Sequence, residues 1–469
     1  MTGRYKYLLK NIGLMTISNF TSKILSFLLV PLYTSVLTTT EFGTYDLYAT
    51  TCFLFTPMLS VCIAEAVLLF LLDKSKEPSK VFNIAIKFYV KACLFMVGLV
   101  LLNYLTGFVG IFNEYPIFLL LYFALSLLSD VMTQFLRGLG RIVDVAVAGI
   151  LSSIVSISLN VLLLLVFQMG LSGYFIAYCS SFAITSIYLM IRAKVWRYIK
   201  FQKKDKSLQK EMVRYSKPLI LNQISWWINN VSDRYIVTWL CGTALNGVYS
   251  VAYKIPSILT IVQTIFNQAW TLSAVKEYDG KSGEFYSNIY KVYNCGMVIV
   301  CAILIVCNKI IAKVLFANEF YMAWKYAPFL IVSVVFSSLS HLLGGIFNAT
   351  RQSNVIARTT AVGASVNTVL NVVLVFMFGP IGAAIATLIS YIFVWIARLK
   401  EVNKSIALSI QLKRDIFSYI ILIVQVIILL SNLKVLVAYL LELVLLGVIV
   451  FIYRDDLHVI ICKIGRKNS

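Results

Sequence analysis

Charge is what this sequence has least of. Asp, Glu, Lys and Arg make up 13% of its 469 residues, against 60% hydrophobic. A soluble protein of that length needs more charge on its surface, so a soluble architecture is excluded. Histidine is limited to His341 and His458, and none of the nine cysteines forms a Cys-x-x-Cys pair. Neither a metal site nor a disulfide framework is supported, and the cysteines read as small apolar residues in helix packing. There is no Walker sequence, and Arg137-Gly-Leu-Gly-Arg141 resembles no phosphate loop. Nothing points to ATP hydrolysis, and no cofactor is expected. The N-terminus also lacks a small-residue cleavage site, so 11–36 reads as a retained span rather than a signal peptide.

What is abundant is apolar sequence in blocks of about twenty residues, enough at roughly 1.5 Å per residue to cross some 30 Å of hydrocarbon. Read between polar or Gly/Pro punctuation, the blocks are 11–36, 43–72, 83–110, 115–136, 143–167, 171–191, 216–241, 247–274, 289–307, 326–347, 355–378, 380–399, 416–432 and 435–453. The expected fold class is therefore an all-α integral membrane protein of about fourteen transmembrane helices.

The net charge of +21 would suggest nucleic acid if it lay on one soluble face. It lies instead in the loops. With a cytoplasmic N-terminus and fourteen crossings, 34 of the 41 Lys and Arg fall at cytoplasmic ends, 10 of them in 192–217. Four fall outside (Lys309, Lys313, Lys325 and Lys434), and Lys23, Arg234 and Lys254 fall within spans. One missed helix would invert every later loop, so this bias predicts both termini inside the cell. No nucleic-acid partner is expected.

The polar stretch 193–217 reads as a basic cytoplasmic linker resting on anionic lipid headgroups. Sequence on either side of it repeats. Gly43-Thr-Tyr45 recurs as Gly247-Val-Tyr249, Leu159-Asn160-Val161 as Leu370-Asn371-Val372, and Gly170-Leu-Ser-Gly173 as Gly379-Pro-Ile-Gly382. The expected organisation is a six-helix lobe over 1–192, the linker over 193–217, a second six-helix lobe over 218–402, and an appended pair, helices 13 and 14, with a tail over 403–469. Transporters commonly set the substrate path between such halves and rock one against the other.

Charged groups in hydrocarbon cost roughly 2.5–3.5 kcal/mol on insertion scales, so they mark where function should be sought. Lys23, Arg234 and Lys254 are candidates for a cationic cavity that takes phosphate oxygens. Glu65 and Asp233 would balance those charges or carry a coupling proton. Asp130 is the remaining buried acid, and local pairing or snorkelling is the alternative for all of them. Pro57 and Pro256 interrupt the second helix of each half and are candidate hinges. Asn19, Asn160, Asn222 and Asn371 read as interhelical glue.

Ser18-Asn19, Ser22-Lys23, Phe27-Leu-Leu-Val-Pro-Leu-Tyr-Thr34 and Glu41-Phe-Gly-Thr-Tyr-Asp46 strongly resemble the polysaccharide repeat-unit flippases. These are the Wzx-like branch of the multidrug/oligosaccharidyl-lipid/polysaccharide (MOP) exporter superfamily. The resemblance implies a MATE/MOP-like fold of two lobes plus a final pair. It also implies flipping of an undecaprenyl-pyrophosphate-linked oligosaccharide for capsule, O-antigen or exopolysaccharide, with membrane lipids and polysaccharide assembly proteins as partners. Ser22-Lys23, Ala64-Glu65 and Ala252-Tyr-Lys254 before Pro256 also resemble positions of the lipid II flippase branch, whose basic residues line a central cavity. Ser35 and Leu69 depart from the pattern, standing where relatives carry basic residues, which implies a less cationic cavity. A multidrug or cation antiporter of the same superfamily is the alternative and would prefer an anionic cavity. A membrane-embedded glycan polymerase would want a larger external segment than 308–325.

Overall fold

The computed structural model describes residues 27–73, 75–199, 205–276, 283–350, 352–406 and 408–458. Lys23, Asn19 and most of the expected first span lie outside them. The described residues form helices and no strand. By contact the chain divides into two compact units, Met1–Val231 and Ser232–Ser469.

The first unit holds α1 (Val30–Val36), α2 (Thr39–Ser60), α3 (Ile63–Leu72), α4 (Pro78–Thr106), α5 (Pro116–Gly138), α6 (Ile142–Asn160) and α7 (Gly170–Ala193). A π-helical turn, Val161–Val166, extends α6. The helix α8 (Lys206–Cys241) runs across the boundary between the units. The second unit continues with α9 (Thr243–Ala252), α10 (Lys254–Lys276), α11 (Gly283–Val306), α12 (Asn308–Leu315), α13 (Ala327–Ala349), α14 (Ser353–Phe378) and α15 (Pro380–Ser405). The pair α16 (Leu412–Leu430) and α17 (Val435–Ile452) ends it. Nine described helices are long and apolar enough to cross a membrane, or up to 11 if α2–α3 and α9–α10 each count as one bent span. In lipid every backbone group must be satisfied within its own segment, which is why such blocks become helices.

The described part of the expected linker is helical rather than extended. Asp205 caps α8, its carboxylate accepting the Leu208 N–H at 3.0 Å. That bond and the nearby Lys80 hold the Asp205 carboxyl below its usual range.

The Glu41–Asp46 segment, which carries much of the family resemblance, works structurally. Thr38 and Glu41 form a capping box: the Thr38 N–H reaches Glu41 Oε2 at 2.8 Å, and the Glu41 N–H reaches Thr38 Oγ1 at 3.2 Å. Glu41 Oε1 also accepts the Leu171 N–H at 3.3 Å, tying the start of α2 to α7. Phe42 stacks on Tyr33 at 4.8 Å, and Tyr45 meets Tyr174 edge-on at 4.5 Å.

The repeated asparagines extend the internal match to their partners. Asn160 Nδ2 donates to the Ser156 carbonyl at 2.7 Å, and Asn371 Nδ2 donates to the Asn367 carbonyl at 3.0 Å. Both are fully buried, and each bonds the residue four positions earlier on its own helix. They are back-bonded within a helix, which differs from the interhelical role expected of them.

In the second unit α13 is the packing centre, with α10, α11 and α15 against it. Trp270 fills the space left by the missing side chain of Gly345 and donates its indole N–H to the Leu342 carbonyl at 2.8 Å. The pair α16–α17 packs on α11. Tyr419 donates to Asn294 Oδ1 at 2.8 Å, Asn294 Nδ2 to the Tyr453 hydroxyl at 3.1 Å, and Tyr453 to Asp415 at 3.0 Å. This chain of bonds pins the two appended helices to the lobe.

Candidate functional site

Both bent spans break beside the prolines singled out in the sequence, on opposite sides of them. Between α2 and α3 the axis turns by 57°. Pro57 sits in the last turn of α2, and Val61 and Cys62 then take left-handed backbone at φ 57° and 49°. Each such non-glycine residue costs roughly 1–2 kcal/mol. Between α9 and α10 the turn is 40°. Pro256 falls in the first turn of α10, where its missing N–H forfeits no intrahelical bond.

The first break opens onto a cavity of about 400 Å³ in the first lobe. Thr56, Pro57, Ser60, Cys62, Glu65 and Asp130 are among its lining residues. Glu65 comes from α3 and Asp130 from α5, so the fold brings together two acids that lie far apart in sequence. Gln223 of α8 also reaches this cavity.

The second break organises the charged residues of the second lobe. Asp233 is 3% exposed. Its carboxylate accepts the Tyr249 hydroxyl at 2.7 Å, the Tyr253 hydroxyl, and the Arg234 backbone N–H at 2.9 Å. The Arg234 guanidinium lies over the Tyr253 ring, 5.3 Å from its centre. Tyr253 occupies the break itself, and half-buried Lys254 opens α10 immediately after it. A tyrosine of α9 and the tyrosine in the break thus hold one buried carboxylate. The Arg234 guanidinium stands beside them, and Lys254 opens the helix whose positive dipole end favours an anion.

Several buried charges escape the sequence reading, among them Asp144, Asp415, Arg398 and Glu442. Arg398 is 6% exposed. It donates to Thr359 Oγ1 at 3.1 Å, Thr360 Oγ1 at 2.9 Å and the Ser340 carbonyl at 2.7 Å, joining α13, α14 and α15. Its place near Lys400 makes it read as a flanking loop charge, and only the length of α15 reveals that it is inside. Glu442 is 1% exposed in α17. As the single charge in an apolar run it carried a signal that could have found it.

The polysaccharide biosynthesis protein family model matches residues 8–275, more than half of the chain, and the chain belongs to that family. A MatE model matches residues 218–373. The probable low-salt glycan biosynthesis flippase Agl15 of Haloferax volcanii is 24% identical over 187 residues, 39% of each chain. The uncharacterized membrane protein MJ1068 of Methanocaldococcus jannaschii is 25% identical over 228 residues, 45% of each chain. The matches thus span less than half the length of these curated relatives. Among solved structures, the lipid II flippase MurJ in its inward closed conformation superposes with a TM-score of 0.67 at 14% identity, covering 94% of this chain and 98% of that one. An inward-facing multidrug resistance MATE family transporter gives 0.61 at 15% identity, covering 81% and 95%. The fold is the all-α, MOP-like membrane fold expected from the sequence, and the protein is a multi-pass membrane protein.

Proposed function

We propose that this chain is a flippase that moves an undecaprenyl-pyrophosphate-linked oligosaccharide repeat unit from the cytoplasmic to the outer leaflet of a bacterial cytoplasmic membrane, by alternating access. It would serve capsule, O-antigen or exopolysaccharide assembly. Both termini are cytoplasmic in this reading, as the positive-inside distribution supports. Family membership and the similarity to the glycan biosynthesis flippase Agl15 support a glycan cargo. The observation that carries the reading is the grouping of Arg234 and Lys254 about the broken span of the second lobe. In this reading Arg234, Lys254 and Lys23 are the substrate-binding residues, while Asp233 and Glu65 balance charge or carry a coupling proton. The breaks beside Pro57 and Pro256 act as hinges.

The test is surface glycan in cells carrying Lys23→Ala, Arg234→Ala and Lys254→Ala, singly and together, with membrane accumulation measured in parallel. The expected result is loss of glycan from a protein that still accumulates. Normal glycan from the Lys23→Ala, Lys254→Ala double variant sinks the assignment. One observation favours a drug or cation antiporter instead: the first-lobe cavity carries Glu65 and Asp130, with no Lys or Arg among its described lining residues. That reading predicts drug hypersensitivity with unaltered surface glycan in a deletion strain, the reverse of the flippase outcome.

A further inference from the structure

The appended pair α16–α17 holds a polar site that the proposed cargo does not use. Glu442 lies seven residues into α17, about 10 Å along its axis at 1.5 Å per residue. Neither of its carboxylate oxygens has a hydrogen-bond partner among the described residues. Facing it on α16, Gln425 is fully buried and donates its amide to the Glu442 backbone carbonyl at 3.3 Å. The Gln425 side-chain oxygen is likewise unpartnered among the described residues. Three buried oxygen acceptors therefore share one hairpin, with no donor supplied to any of them.

The surroundings do not repair this. The outer half of α11, Met297–Val306, contains no charged residue, and neither does α16 from Ser418 to Leu430. Among the described residues Lys309 on α12 is the charged group whose field reaches Glu442, and its ammonium is engaged over the Trp324 ring at 4.5 Å. Tyr439 lies one turn earlier on α17, with Cys307 and Tyr321 near it. A naked carboxylate in such a place costs several kcal/mol. A bound proton cancels the charge and converts one acceptor into a donor, for which Gln425 supplies a ready oxygen.

We propose that Glu442, with Gln425, is a proton-binding site in the appended helix pair, and that its neutral form is the one that docks the pair onto α11. The step is a simple acid dissociation: the O–H bond of Glu442 breaks, the electron pair stays on the carboxylate, and the proton leaves to water. The loop Ser431–Lys434 is the near end of the hairpin. On the orientation proposed above, the proton exchanges with the outer side.

The experiment uses the full-length chain in lipid vesicles, as wild type and as Glu442→Gln, which keeps shape and hydrogen bonding without a titrating group. Infrared spectra should show a carboxylic-acid carbonyl band in the wild type that is lost in Glu442→Gln and lost in the wild type on raising the external pH. Hydrogen exchange of α16 and α17, corrected for its intrinsic pH dependence, should rise with pH in the wild type alone. Identical infrared spectra, or exchange with the same pH response in both proteins, overturns the proposal. If Glu442→Gln does not accumulate, the wild-type measurements decide: a band that persists at high pH, or exchange that ignores pH, refutes the site. Neither readout depends on glycan transport, so failure here is separable from failure of the flippase reading.

Discussion

Spans six apart in the two lobes differ in how deeply they are buried. The span Pro116–Gly138 is 28% buried, and its counterpart Ala327–Ala349 is 83% buried. Pro78–Thr106 is 33% buried against 61% for Gly283–Val306. The appended pair accounts for part of the difference, since α16 and α17 cover α11, and α11 in turn packs on α13. The breaks differ in the same sense. The first lobe keeps an acid-lined cavity beside a left-handed Val61–Cys62 turn, whereas the second wraps Asp233 in two tyrosine hydroxyls. At the breaks themselves, space and left-handed backbone sit in the first lobe, and a hydrogen-bonded carboxylate sits in the second. A sequence repeat that preserves helix-packing landmarks has thus supported two different internal environments.

The sharpest way to test that difference is to add one methyl group at the matched glycines 173 and 382. At Gly382 a Cβ would fall 2.0 Å from the Leu374 carbonyl oxygen and 2.3 Å from its carbon, both backbone atoms that no rotamer change can move. At Gly173 the nearest atoms are the Met169 Cβ at 2.9 Å, the Leu163 Cβ at 3.2 Å and the Leu163 carbonyl oxygen at 3.3 Å, which rotamer changes also cannot move but which lie further off. Overpacking costs about 1–3 kcal/mol and more when backbone must shift, while Gly to Ala within a helix returns about 1 kcal/mol. Gly382→Ala should therefore leave little folded protein in the membrane. Gly173→Ala, with the shallower clash, should lose no more than about 2 kcal/mol. Thermal stability in detergent, followed by size-exclusion chromatography, checks both, and equal losses would refute the asymmetry.

A smaller effect separates the arginines. Arg398 makes three hydrogen bonds from a buried position, and truncation loses them and leaves a void. Arg398→Ala should cost about 2–4 kcal/mol. In the first lobe Arg192 pairs with Asp144 at 2.7 Å, but its side chain is 53% exposed. Arg192→Ala should shift the melting midpoint too little to separate from wild type, and high salt should erase any residual shift.

These two arginines also show where sequence reading stops. The helices are legible because lipid leaves the backbone no other choice, and the extent of an apolar block sets the length of a span. The charges at Glu65, Asp233, Arg234 and Lys254 are legible because each interrupts such a block. Arg398 is not, because it stands within three residues of Lys400 and shares the pattern of a loop flank. The pairing of Glu65 with Asp130 around one cavity depends on how α3 meets α5, which no spacing rule encodes. Pro57 signals an interruption, yet the left-handed residues fall at Val61 and Cys62, neither of them a glycine. The partnership of Asp233 with Tyr249 and Tyr253 involves the bend itself, since it joins α8 to α9 and to the residue at a break that periodicity reads as continuous.

The last effect we predict is a gain. Val61 is β-branched and sits at φ 57°, ψ 35°, a conformation that glycine adopts without steric penalty. Substituting glycine removes roughly 1–2 kcal/mol of backbone strain and returns about 0.5–1 kcal/mol through the greater freedom of the unfolded chain. Val61→Gly should therefore stabilise the protein by up to about 1 kcal/mol. Tyr253 occupies the corresponding break in the second lobe with right-handed backbone at φ −65° and has no such strain to relieve. Tyr253→Gly should lower stability, since it deletes a hydroxyl that Asp233 accepts and a ring that Arg234 covers. Melting midpoints measured side by side decide the matter. Opposite signs are expected, and a loss in both would mean that the first break is held by its side chains and stores no strain.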